Sequence, residues 1–106
     1  MKTFQQNNIT YKVGTNAEEN WHVISKADPT SYWVHLDNVP SSHVIIEIDD
    51  ILPEDLQYAG MLCKAQSKCA TKSMACVATT IGNLKFGSKP GEVYFKNPKD
   101  IIQFVC

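Results

Sequence analysis

Two clusters of residues in this chain have the types and spacing to do chemistry. Trp33 and His35 alternate along an apolar run, and Ser41-Ser42-His43 follows, with Asp37 between them. A hydroxyl, an imidazole and a carboxylate are the parts of a hydrolytic triad, which works only at a defined mutual geometry. No G-x-S-x-G elbow surrounds these serines, no Cys/His protease signature accompanies them, and residues 82–89 lack a phosphate-loop pattern. The expectation is therefore a protein without catalytic residues. Cys63, Cys69, Cys76 and Cys106 form no C-x-x-C pair, and adding His35 and His43 gives no zinc-finger or ribbon spacing. No metal or cofactor is expected, and free thiols are expected over disulfides.

The second cluster is cationic. Gly82 to Gly91 reads as a loop that gathers Asn83, Lys85 and Lys89, and a following turn, Asn97-Pro98-Lys99, adds Lys96 and Lys99. Ammonium, amide and exposed backbone N–H groups are those that contact phosphate oxygens. Trp33, His35 and Tyr94 are candidate stacking surfaces for unpaired bases, with core packing as the competing role for each. Phosphate contacts alone do not separate RNA from DNA, so DNA stays as an alternative partner. A second alternative is a protein-interaction module that docks on a ribosome or another partner through Phe86 and Phe95.

The whole-chain balance neither demands nor forbids a polyanion. Ten basic residues, all lysine, face eleven acids in 106 residues. Residues 1–50 hold three lysines and seven acids, whereas 51–106 hold seven lysines and four acids. Between Lys64 and Lys99 the only acid is Glu92. A solvated face or an anion-facing surface would both give this pattern. Lysine is a mobile point charge, so such a surface holds phosphates better than it reads base edges. A hydrophobic fraction of 43% excludes full-length disorder. The N-terminal residues lack an apolar h-region and no apolar run reaches spanning length, so a cytoplasmic protein is expected, with the nucleus as the alternative and secretion or membrane insertion disfavoured.

These side chains need elements to hold them. A hairpin is expected from Thr3–Gln5 and Ile9–Val13 around Gln6-Asn7-Asn8. Thr15 and Glu18 suggest a capping box for a short helix over about 17–25. Tyr32–Leu36 reads as a strand with Trp33 and His35 on one face, and His43–Ile48 as its neighbour. Pro53, Glu54 and Asp55 open a main helix over about 53–68, with Leu56, Ala59, Leu62 and Cys63 as its buried stripe. Met74–Thr80, Val93–Lys96 and Ile101–Val105 complete the strands, the last two read as a hairpin. The class is α+β: a single compact domain, 1–106, with a largely antiparallel sheet.

The order of these motifs resembles that of a known family. Tyr32-Trp33-Val34-His35, then Val39-Pro40-Ser41-Ser42-His43-Val44, resembles the W-x-H…S-H-V signature of the NFACT-R domain. Lys89-Pro90-Gly91-Glu92-Val93-Tyr94-Phe95 is similar to the family's K-P-G-x-V-x-[FY] ending, and Gly14-Thr15-Asn16 with Asn20 to its G-K-N opening. NFACT-R is the RNA-binding module of NEMF and of fibronectin-binding-A-like ribosome quality-control proteins, and it also opens a small eukaryotic branch with a coiled-coil tail. The resemblance implies a stand-alone RNA-binding domain for structured RNA, tRNA or rRNA, in translation or ribosome quality control. It implies roles in RNA contact or in the fold for Trp33, His35, Ser42 and His43, beside the cationic Lys85, Lys89, Lys96 and Lys99 and the polar Asn83. The chain departs from the family at Ser31, Val34 and Thr15, the last removing one cationic contact.

Overall fold

The computed structural model describes residues 1–65 and 72–106. The chain opens on a hairpin, β1 (Lys2–Gln6) and β2 (Ile9–Val13), turned by Asn7 and Asn8 at φ 54° and 64°. Two successive left-handed residues make the tight turn that matches strand twist, and asparagine tolerates that region better than most side chains. Helix α1 (Ala17–Lys26) follows. Its cap is Asn16, whose side-chain oxygen accepts from the Glu19 amide at 2.9 Å; the expected Thr15–Glu18 box is shifted by one residue. Thr15 is instead taken up by the Glu19 carboxylate, which accepts from both its amide and its hydroxyl.

Strand β3 (Tyr32–Leu36) has the expected bounds. Strand β4 (Val44–Ile46) is shorter than expected at both ends, and just beyond it the Glu47 amide turns to the Thr10 carbonyl. Helix α2 (Pro53–Ala65) starts where Pro53 suits the first turn, and the Asp55 carboxylate takes the Leu52 amide at 3.0 Å. The expected continuation over 66–68 lies outside the described residues.

Strand β5 (Ala75–Thr80) leads through one 3₁₀ turn, Ile81–Asn83, into β6 (Leu84–Phe86), β7 (Val93–Phe95) and β8 (Ile102–Val105). Two expectations are corrected here. Residues 82–91 are not all loop, because β6 lies within them and pairs with β7. Nor do β7 and β8 form a hairpin: β8 leaves the ribbon and pairs with β5, closed by two bonds between Met74 and Cys106. The turn at 97–100 is a crossing between sheets, fixed by the Asn83 side chain, which bonds the backbone of Asn97 and Asp100.

The main sheet is antiparallel throughout, in the order β1-β2-β4-β3-β5-β8. One face packs on α2, burying Tyr11, Val13, Val34, Leu36, Val44 and Ile46 against Leu56, Ala59 and Cys63. The other face carries Trp33, Ile45 and Val77 and is covered by Val23 and Ile24 of α1 and by Leu84 of the ribbon, with Val93 and Phe95 packed alongside. The period of two along β3 therefore sends Val34 and Leu36 to the α2 core and Trp33 and His35 to the opposite face. Among the described residues no helix is long and apolar enough to cross a membrane.

Candidate nucleic-acid interface

On that opposite face four separated segments meet around one cleft of about 460 Å³. Thr15, Asn16, Ala17 and Asn20 come from the start of α1, His35 from β3, Pro40 to His43 from the β3–β4 connection, and Pro90 and Gly91 from the tip of the β6–β7 ribbon. A larger hollow of about 640 Å³ lies beside the second half of α1, but Lys12, Lys26 and His22 in its wall are offset by Asp28, Glu47 and Asp49. The smaller cleft is the one that gathers the sequence motifs.

Trp33 is its foundation. The indole is 3% exposed and donates from Nε1 to His43 Nδ1 at 3.1 Å. It stacks nearly parallel on His35, 5.6 Å between centroids, and meets Phe95 edge-on at 5.7 Å. His35 and His43 are themselves edge-to-face at 4.7 Å. His43, only 4% exposed, is further fixed by its backbone amide, which donates to Asn20 Oδ1 at 3.3 Å.

Electrostatically the two imidazoles are not cations. Burial, with a smaller contribution from His35, pushes the His43 pKa down to about 3. Burial also lowers His35, opposed by a backbone hydrogen bond at Leu36 and the charge of Asp37. Since His43 Nδ1 accepts from Trp33, its proton sits on Nε2, a neutral donor. Charge neutralisation must therefore come from lysines.

The two glycines of the motifs have steric reasons. A Cβ on Gly14 would stand 2.9 Å from the backbone of Asn20, so only glycine lets α1 bring Asn20 onto His43. Gly91 sits at φ +84°, and a Cβ there would stand 3.2 Å from Ala17, so glycine lets the ribbon tip rest on the helix start. Trp21 of α1 ties the same tip down, its Nε1 donating to the Glu92 carbonyl at 2.9 Å. Gly14→Ala should cost about 1–3 kcal/mol of unfolding free energy, measured by urea denaturation; a loss within error would mean that the α1 start yields freely.

The sequence-predicted residues divide by place. Trp33, His35, Ser42 and His43 are brought together, with Lys89 one residue before the cleft-lining Pro90. Lys85 and Lys96 are exposed on the ribbon or at its end. Asn83 and Lys99 line a separate hollow with Thr79 and Asp100, and the Asn83 amide is committed to Thr79, Asn97 and Asp100. Lys64 is buried, its ammonium donating to the Lys72 carbonyl, so it does not extend the ribbon's charge. The sequence marks Asn20 only as part of the Gly14-Thr15-Asn16 opening, not as a site residue. Its signal was a polar residue on the helix face that also presents Val23 and Ile24. Among the described residues no group of three histidine, cysteine or acidic side chains could hold a metal ion.

No curated protein matches the chain significantly. A solved structure titled as the C-terminal of the fibronectin/fibrinogen-binding protein from Streptococcus suis is similar to it at 25% identity and a TM-score of 0.77. That match covers 92% of this chain and 39% of the solved one, so the chain spans about two fifths of that relative's length. The profile of the NFACT protein RNA-binding domain matches residues 2–97, which takes in every element from β1 through β7 and all four segments of the cleft. The chain belongs to the NFACT RNA-binding domain family.

Proposed function

We propose that this domain binds structured RNA, tRNA or rRNA, by seating backbone and unpaired nucleotides at the cleft while lysines of the ribbon hold the surrounding phosphates. The observation that carries this reading is the convergence of four sequence-distant motif segments on one cleft. His35 and His43 serve there as neutral hydrogen-bonding groups, and Ser42 and the α1 start supply further polar atoms. Lys85, Lys89 and Lys96 add the long-range attraction, and Lys99 extends it towards the Asn83 hollow. The domain acts without catalysis, in the cytoplasm, in translation or ribosome quality control, with the ribosome as a further partner.

Fluorescence anisotropy with tRNA, single-stranded RNA and duplex DNA tests the reading. Affinity should fall steeply with salt and favour RNA. The double variant Lys85→Glu/Lys89→Glu should bind about ten-fold or more weakly at low salt, with a salt slope shallower by about two. Absence of RNA affinity at low salt, or unchanged affinity in the double variant, would reject it. A protein-docking role is the second reading, favoured by Phe86, which is 49% exposed against Trp21. Partner capture that survives nuclease, in a protein with no RNA affinity, would support that reading instead.

A further inference from the structure

The β6–β7 ribbon has two unlike faces. Leu84, Phe86, Val93 and Phe95 share the inner one, and pairing places Lys85 directly opposite Tyr94 on the outer one. The ladder continues one step, the Lys96 amide donating to the Asn83 carbonyl at 2.8 Å, so Lys96 follows Tyr94 by two residues on that same outer face. Cross-strand neighbours stand ~5 Å apart and alternate residues along a strand ~7 Å apart, so the aromatic residue has one lysine beside it across the ribbon and another next along its own strand.

From this arrangement we propose that Tyr94, flanked by Lys85 and Lys96, is a stacking platform for one unpaired RNA base, the lysines holding the phosphates on either side. The inference rests on the RNA-binding reading above and adds a contact outside the cleft. Of the three candidate stacking groups, Trp33 is buried and His35 is stacked on it, whereas Tyr94 is 51% exposed. The ring is also held in place. Its hydroxyl donates to Glu92 Oε1 at 2.9 Å, and the same oxygen accepts from the Ser88 amide at 3.1 Å. Glu92 lies across Gly87, where any Cβ would collide with its carboxylate. Glu92 is thus turned along the ribbon tip and bonded, and the phenol, its hydroxyl already satisfied, is left half-exposed. Only Glu92 and Val93 separate Tyr94 from Gly91 at the cleft, ~10 Å of chain at most, so a strand of RNA leaving the cleft comes within reach of the ring. Stacking on an aromatic face suits any unpaired base, while the faces of paired bases are covered by their neighbours.

The test uses the full chain, a 12-nucleotide single-stranded RNA and a blunt RNA duplex of the same length, read by anisotropy at one salt concentration. Tyr94→Ala should bind the single strand about ten-fold more weakly and the duplex within about two-fold of the parent, and Tyr94→Phe, which keeps the ring but not the hydroxyl that holds it, should lose less on the single strand than Tyr94→Ala. Circular dichroism checks that the variants are folded. Ultraviolet crosslinking of the parent protein to a 5-iodouridine oligonucleotide should map to Tyr94 by mass spectrometry, which needs no variant. RNA binding that Tyr94→Ala leaves unchanged, with crosslinks elsewhere, overturns the platform and leaves the RNA reading standing. Equal losses on strand and duplex overturn the assignment to an unpaired base. A parent protein that binds neither probe overturns both readings.

Discussion

Trp33→Ala should destabilise the domain by about 3–5 kcal/mol, the range for removing a large aromatic from a well-packed core. The indole is buried among Ile45, Val77 and Phe95, and its loss opens a cavity under the cleft floor. It also strips His43 Nδ1 of its donor, leaving a buried acceptor unpaired. Domains of this size hold about 5–15 kcal/mol in all, so a large part of the margin would go. Trp33→Phe separates the two contributions, since it refills part of the volume but cannot donate. Urea unfolding followed by circular dichroism reads both. A loss under about 1.5 kcal/mol for the alanine variant would show that the ribbon and α1 close over the gap.

Acid should unfold the protein through its histidines before its carboxylates. His43 has a folded pKa of about 3 and an ordinary value of 6.5, so the native state holds it neutral. Below pH 6.5 the unfolded chain takes up a proton that the folded one refuses. The stability associated with neutral His43 is thus complete above about pH 6.5 and drains away as pH falls towards 3. At 1.36 kcal/mol per pH unit the whole window is worth on the order of 5 kcal/mol, over half of it gone by pH 4.5. His35 is shifted in the same direction and steepens the loss. Glu19, lowered to about 2 by the N-terminal ammonium and Thr15, acts only below its own ordinary 4.5. Urea midpoints should hold nearly level from pH 7.5 to about 6.5 and fall from there to pH 4.5, and His43→Gln, which keeps an acceptor for Trp33, should flatten much of that slope. A parent protein equally stable at pH 7.5 and 5 would contradict the buried neutral pair.

Local pattern carried much of this architecture. The apolar alternation of Tyr32–Leu36 and the asparagine pair at 7–8 gave elements with nearly the bounds found, because both depend on neighbours within a few residues. Pairing over longer range was not legible. Asn97-Pro98-Lys99 has the composition of a hairpin turn, yet the strand after it finds β5, some twenty-five residues back, because Asn83 ties the turn to the end of the 3₁₀ segment. An isolated asparagine carries no sign of such a bracket. Within the site, the meeting of Trp33, His35 and His43 follows from adjacent antiparallel strands and was open to reasoning. The reach of Asn20 onto His43, and the need for Gly14 to permit it, depends on how α1 lies over the sheet, which periodicity alone does not encode.

The alternation along β3 also bears on how such a domain can change over time. One strand supplies the α2 core with Val34 and Leu36 and the cleft with Trp33 and His35. Inserting or deleting a single residue within it would exchange the two sets, turning an indole and an imidazole into the core and aliphatic side chains into the site. Length variation is therefore barred from β3 and steered to the connection that follows it, 37–40, and to the β6–β7 ribbon tip. Those are the segments that rim the cleft, so new binding preferences can be tried there without rewriting the strand that holds the fold.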